Sequence, residues 1–110
     1  MMKKAKRTDR NQIIYQITCQ ITGETYIGMT VKTGGIKKSL SRRWYQHVNR
    51  AKKDNKDWAL YEALRAHPFK KTADVWIMEA VEIVRGKVNA HRREMEIVTK
   101  MSPSLNTAKY

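Results

Sequence analysis

Glu94, in the last predicted helix, is the residue whose type and position point most directly to chemistry. The helical step of about 100° per residue places it in the middle of an apolar stripe, whereas Glu96 falls on the solvent side. The stripe consists of Ala90, Ile97, Val98 and Met101. A carboxylate that faces a core is costly unless a positive group holds it. A divalent cation, a buried arginine and exposure at the edge of the stripe are three interpretations that the residues leave open.

The first predicted helix carries a polar ridge, because Arg43, His47 and Arg50 are spaced i, i+4 and i+7. Arg42 points away from the apolar stripe of the same helix. Two arginines and a histidine at the rim of a core suit an anionic phosphate. An ordinary basic helix face in solvent is the alternative interpretation.

Two tyrosines and a glycine form a third group. Tyr15 and Tyr26 lie in two short predicted strands, which a turn at Thr22-Gly23 joins into a hairpin, and Gly28 follows the second tyrosine. Tyrosine is common in strands, so packing between sheet and helix is the alternative to a chemical role.

Hydrophobic periodicity and turn residues predict the elements that must position these groups. In chain order they are a strand over 12–19, a strand over 25–29, a loop over 31–39, helices over 40–53 and 57–67, a strand over 75–84 and a helix over 89–101. The order β-β-α-α-β-α predicts an α/β (α+β) fold with a small antiparallel three-stranded sheet flanked by helices. Residues 1–11 are expected to form a basic flexible tail, and residues 12–110 the folded domain.

Length and charge bound the function. A chain of 110 residues holds one domain with one modest core. Lysine and arginine number 23 against 10 acidic residues, and the formal net charge of +13 predicts a polyanionic partner, of which nucleic acid is the commonest. A ribosome-associated or membrane-surface protein would show the same excess. The single cysteine, Cys19, excludes an internal disulfide and a zinc cluster. No apolar run approaches the roughly 20 residues of a membrane span, so we expect a cytoplasmic protein.

The sequence resembles the GIY-YIG nuclease family. Ile13-Ile14-Tyr15 stands where the family has its first motif, and Tyr26-Ile27-Gly28 matches the second motif letter for letter. Arg43 and His47 reproduce the spacing of an arginine and a histidine that family members present in the following helix. Glu94 fits the metal-binding glutamate of the family's third helix. The resemblance spans nearly the whole chain.

The segment after the last helix also resembles the family, which ends in Pro-x-x-Asn as Pro103-Ser104-Leu105-Asn106 does here. Two features depart from the family pattern. Ile13 replaces the glycine of the first motif, a glycine that is structural in the family. The loop over 31–39 lengthens the interval before the first helix, and Arg43 is preferred over Arg42 as the family arginine because only Arg43 lies on the polar ridge.

The resemblance implies a metal-dependent DNA endonuclease that hydrolyses phosphodiester bonds, of the kind found free-standing in homing or phage systems. Glu94 would bind one divalent cation, Mg²⁺ or Mn²⁺. Tyr15 would take a proton from water, a role that requires nearby cations to lower its pKa from about 10. Tyr26 would line the pocket, Arg43 would clamp the non-bridging oxygens, and His47 would donate a hydrogen bond or carry a proton.

The resemblance also implies residues that shape the site and bind the substrate. Gly28 and Asn106 are expected to orient the site. Backbone contacts to double-stranded DNA are expected from Lys32, Lys37, Lys38, Arg42 and Arg50. No membrane partner is expected, and both monomer and homodimer fit the residues. The rival functions are a non-catalytic basic nucleic-acid-binding protein and a structure-selective repair nuclease.

Overall fold

Three antiparallel strands form the sheet that carries the site. The computed structural model describes residues 10–53, 59–67 and 75–106, and within them the strands are β1 (Asn11–Cys19), β2 (Thr25–Val31) and β3 (Trp76–Arg85). The strand order is β2-β1-β3, so β1 lies in the centre and pairs with both neighbours. Gly23 has a φ of 78°, which glycine adopts at little steric cost, and it lies in the turn that joins β1 to β2.

Helices cover both faces of the central strand. They are α1 (Ile36–Lys53), α2 (Ala59–Ala66) and α3 (Lys87–Met101). Because successive side chains of a strand point to opposite faces, Tyr15, Ile17 and Cys19 share one face and pack with residues of α1 and α2. Ile14 points the other way and packs against Ile97 of α3. None of the helices in the described ranges is long and apolar enough to cross a membrane.

The predicted fold class is confirmed. The described part of the chain follows the order β-β-α-α-β-α and contains the antiparallel three-stranded sheet. Most bounds differ from the prediction by one or two residues. Asn11, placed in the predicted tail, already belongs to β1. Residues 1–9 of that tail, and the predicted start of the second helix at Asp57, lie outside the described residues.

The largest difference is at the start of α1, which begins at Ile36 rather than Leu40. The prediction of a loop over 31–39 is therefore wrong, because β2 runs to Val31 and only residues 32–35 connect the two elements. The apolar periodicity of the helix starts at Leu40 because most of the first turn faces solvent. Periodicity alone therefore misses that turn.

Two glycines and a serine shape the short connection. Gly34 and Gly35 have φ angles of 74° and 111°, a region that residues with a Cβ rarely adopt. Ser39, buried in the first turns of α1, reaches back to the connection. Its Oγ accepts a hydrogen bond from the backbone N–H of Thr33 at 2.8 Å. These contacts fix where α1 starts relative to the hairpin.

The apolar stripe predicted for α3 is correct at Ala90 and Ile97, which are buried, and wrong at Met101, which is exposed. Met101 is the last helical residue, and the chain turns at once through Ser102, whose φ is 47°. The stripe therefore ends one turn earlier than periodicity suggests.

Candidate active site

The hairpin brings the two tyrosines together over a glycine. Tyr15 pairs with Gly28, and Ile17 pairs with Tyr26, so the tyrosines are diagonal neighbours with ring centroids 6.3 Å apart. A Cβ on Gly28 would lie 2.5 Å from the Tyr15 hydroxyl oxygen and 2.8 Å from Cε2 of Tyr26. Real Cβ atoms do not approach other atoms so closely. The second motif therefore requires its glycine because both tyrosine rings occupy the space above it.

Ile13, which stands at the glycine position of the first motif, is fully buried. It pairs with Thr30 of β2 and Ile83 of β3 in regular strand register. Its φ is not positive, so a β-branched residue adopts this backbone without strain. The described fold thus accommodates the substitution.

A chain of hydrogen bonds links α1 to the first tyrosine. Because Arg43 and His47 lie one turn apart, both reach the Tyr15 hydroxyl. Arg43 Nε donates to Tyr15 Oη at 3.3 Å, and Tyr15 Oη lies 2.7 Å from His47 Nε2. A guanidinium only donates, so the tyrosine oxygen accepts from Arg43 and its own proton is free to bond to His47 Nε2. His47 also meets the Tyr26 ring edge-on, with centroids 5.5 Å apart.

The protonation states of this chain are set mainly by burial. Burial raises the pKa of the Tyr15 hydroxyl well above its usual value, Tyr26 adds to the rise, and Arg43 opposes it without offsetting it. Without a bound cation, the charge of Arg43 alone therefore does not bring the pKa of Tyr15 below its usual value. Burial also raises the pKa of Tyr26. Both tyrosines are neutral phenols at pH 7.

His47 is neutral for the same reason. Burial, together with repulsion from Arg43 and Arg50, lowers the pKa of its imidazole to about 3. Within the described part of the chain, its buried Nδ1 has no hydrogen-bond partner. The bond to Tyr15 is therefore the one hydrogen bond of this ring among the described residues.

Glu94 faces a groove on the other side of Tyr26. The groove has a volume of about 890 Å³, and Tyr26, His91, Glu94 and Asn106 are among the residues that line it. The Glu94 side chain is 18% exposed. Burial raises the pKa of its carboxyl, whereas His91 and Arg43 lower it. The carboxylate therefore opens into the groove close enough to Arg43 to feel its charge.

The surroundings of Glu94 bear on the three interpretations of its position. Among residues 10–53, 59–67 and 75–106, no arginine lies within 4.0 Å of the carboxylate, and its one ion pair is with His91 at 3.6 Å. The same residues contain no group of three or more histidine, cysteine, aspartate or glutamate side chains that could hold a metal. A single carboxylate on a groove nevertheless fits a cation such as Mg²⁺, which keeps several waters.

Asn106 joins the end of the described chain to the second motif. Its Oδ1 accepts from the backbone N–H of Ile27 at 2.7 Å, and its Nδ2 donates to the Ile27 carbonyl at 2.8 Å. The backbone N–H of Leu105 donates to the Thr25 carbonyl at 2.9 Å. The asparagine therefore holds the strand that carries Tyr26.

The residues expected to bind DNA lie along α1 and the connection before it. Lys37, Lys38 and Arg50 are exposed, whereas Lys32 is half-buried at the end of β2. Arg42 is exposed, and its guanidinium donates to the side chain and carbonyl of Thr33. The structure thus brings Arg43 and His47 into the tyrosine cluster and leaves the other basic residues of α1 on its outer surface.

His91 is the groove residue that sequence reasoning missed. It lies one helical turn before Glu94, and its Nδ1 lies 3.6 Å from Oε1 of that carboxylate. The signal was the i, i+3 spacing of a histidine and a glutamate. The sequence does not show that a groove lies beside this exposed histidine, so the spacing alone does not indicate a site.

Comparison with known protein families gives one match. The family model of the GIY-YIG catalytic domain matches residues 11–109, nearly the whole chain. The chain therefore belongs to the GIY-YIG family. Members of this family are nucleases of the endonuclease superfamily and generally use a divalent metal. No curated protein and no solved structure matched the chain.

Proposed function

We propose that the protein is a divalent-metal-dependent endonuclease that hydrolyses the phosphodiester backbone of double-stranded DNA. The observation that carries the proposal is the Glu94 carboxylate, which opens into a groove beside Tyr26 with no arginine within 4.0 Å among the described residues. A partly buried carboxylate without a strong cationic partner is a ready ligand for Mg²⁺ or Mn²⁺. The expectation of a homing or phage role stays a prediction.

Arg43 is the group that binds the scissile phosphate. Its guanidinium uses Nε for Tyr15 and one Nη1 proton for Gln46, at 2.9 Å. The remaining N–H groups of its planar fork are left for two phosphate oxygens. Because Tyr15 and Gln46 hold the fork, the arginine is oriented before substrate arrives, which favours stabilisation of the charge that develops on those oxygens. A cation bound at Glu94 would place a second positive charge beside the phosphate and would lower the pKa of a coordinated water.

The tyrosines and His47 form a route for the proton of the attacking water. Tyr15 is fully buried, so Tyr26, which lines the groove, stands between it and the water. The Tyr15 hydroxyl lies within hydrogen-bonding reach of Tyr26. As Tyr26 takes a proton from water, it passes its own to Tyr15, which passes its own to His47 Nε2. No free tyrosinate is needed at any point, which agrees with the raised pKa of both phenols.

Substrate binding makes the last step of this route easier. Repulsion from Arg43 and Arg50 helps to hold the pKa of His47 low. A phosphate paired with Arg43 offsets part of that repulsion and therefore raises the pKa of the imidazole. His47 then accepts a proton more readily with DNA bound than without it.

DNA is the substrate that the surface favours. The net charge of +13 and the exposed Lys37, Lys38 and Arg50 of α1 supply sequence-independent contacts to phosphates. These contacts lie on the same helix as Arg43. A duplex held along α1 therefore brings its backbone towards the groove.

The test is plasmid cleavage by the purified chain with Mg²⁺ or Mn²⁺. Glu94→Gln is expected to abolish cleavage and to leave DNA binding within about twofold, because binding comes mainly from the basic surface. Glu96→Gln is the matched control, since its side chain lies on the same helix and is 60% exposed. Full cleavage by Glu94→Gln, or by the wild type in excess chelator, would overturn the metal assignment. Absence of cleavage of plasmid, single-stranded and branched DNA by the wild type would favour a non-catalytic binding protein.

A further inference from the structure

His91 and Glu94 share one face of α3 at the groove. Residues at i and i+3 of a helix are surface neighbours, and here His91 Nδ1 lies 3.6 Å from Glu94 Oε1. Both side chains line the groove that Tyr26 also lines. A nitrogen donor and an oxygen donor thus converge on the place where the proposed function puts a cation.

The contact between the two side chains leaves both able to bind something else. A separation of 3.6 Å exceeds the range of about 2.7–3.2 Å for an N–H···O hydrogen bond. The His91 side chain is 63% exposed, so solvent leaves its ring free to rotate. Within the described segments, neither side chain has another ion pair or side-chain hydrogen bond.

The separation is close to that of two ligands of one cation. Donor atoms that each lie about 2.1 Å from a metal are about 3.0–3.4 Å apart in octahedral or tetrahedral geometry. A small rotation of the exposed imidazole closes the difference. An imidazole and a carboxylate together form a mixed donor set that suits transition cations better than a set of oxygens alone does.

We propose that His91 and Glu94 together bind the divalent cation, and that His91 gives the site a preference for imidazole-binding transition cations such as Co²⁺ over Mg²⁺. The inference rests on the proposed role of Glu94 and goes beyond it by adding a nitrogen ligand. Two protein ligands leave the other coordination positions for water and phosphate oxygens, as an open catalytic site requires.

The test measures cation binding by the full chain without DNA. Titration calorimetry with CoCl₂ and with MgCl₂ is performed on the wild type, on His91→Ala and on Glu94→Gln. His67→Ala is the matched control, because His67 lies just beyond α2 and does not line the groove. In parallel, pulsed electron paramagnetic resonance of bound Mn²⁺ detects a coordinated imidazole nitrogen directly.

His91→Ala is expected to lower Co²⁺ affinity by on the order of tenfold or more, with little change in Mg²⁺ affinity. The imidazole signal of Mn²⁺ should disappear in His91→Ala and persist in His67→Ala. Unchanged Co²⁺ affinity in His91→Ala overturns the inference, and so does an equal loss in His67→Ala. If Glu94→Gln still abolishes cation binding in that case, the proposed function stands without the nitrogen ligand. If Glu94→Gln binds both cations like the wild type, the metal site of the proposed function fails as well.

Discussion

Removing the hydroxyl of Tyr15 tests both the hydrogen-bond chain and its role in cleavage. In Tyr15→Phe, Arg43 loses one acceptor and His47 loses its one hydrogen bond among the described residues, since Nδ1 already has none. Leaving a buried polar group without its partner costs about 1–3 kcal/mol, so the free energy of unfolding in urea should fall by that amount. Loss of a proton-transfer group should also lower the cleavage rate by about 10²- to 10⁴-fold.

Stability and single-turnover cleavage are measured on the same preparations, below the urea transition of the variant. Tyr45→Phe is the matched control, because Tyr45 lies on α1 and is 70% exposed. A variant that loses stability and cleaves at the wild-type rate would show that Tyr15 supports the fold only. A variant unchanged in both properties would refute the hydrogen-bond chain itself.

Further predictions follow from the same geometry. Gly28→Ala forces a methyl group against two tyrosine rings and should cost about 1–3 kcal/mol of unfolding free energy, and an unchanged urea midpoint would contradict that packing. Arg43→Ala should lower the cleavage rate by about 10²- to 10³-fold, whereas Arg42→Ala should mainly weaken DNA binding, and the reverse ranking would show that the other arginine binds the scissile phosphate. The depressed pKa of His47, about 3 when folded, means that the unfolded chain binds the extra proton first as pH falls below about 6.5. Unfolding free energy should therefore decrease from pH 7 to pH 5, and denaturant titrations should show a smaller decrease in His47→Gln.

The sequence predicts the elements well because the pattern of each one is local. In β1, Tyr15, Ile17 and Cys19 alternate along the sequence, and in α1, Trp44, Val48 and Ala51 recur at helical spacing. Both sets are buried in the same core. The first turn of α1 escapes this reasoning because its residues face solvent on most sides, and its start is set by the bond between Ser39 and Thr33. That bond joins an element to a connection, and periodicity carries no trace of it.

The sequence predicts which of these residues lie together, but it does not predict their protonation states. Spacing along one helix is enough to place Arg43 beside His47. The protonation of Tyr15 depends on how completely the hairpin and α1 enclose it, and that enclosure outweighs the charge of the adjacent arginine. His91 is missed for a related reason, because its place in the site depends on the groove that several elements form, and not on the pattern of its own helix.

The side chain of Asn106 has a consequence for solubility as well as for the site. β2 is an outer strand of the sheet, and the free N–H and C=O groups of such a strand invite pairing with another chain. Asn106 occupies both backbone groups of Ile27, and Leu105 occupies the carbonyl of Thr25, so this edge is blunted on both sides of Tyr26. A chain truncated before residue 105 would leave these backbone groups of β2 unpaired at the groove. Such a chain is expected to aggregate through its strand edge, as well as to lose the support that Asn106 gives to the site.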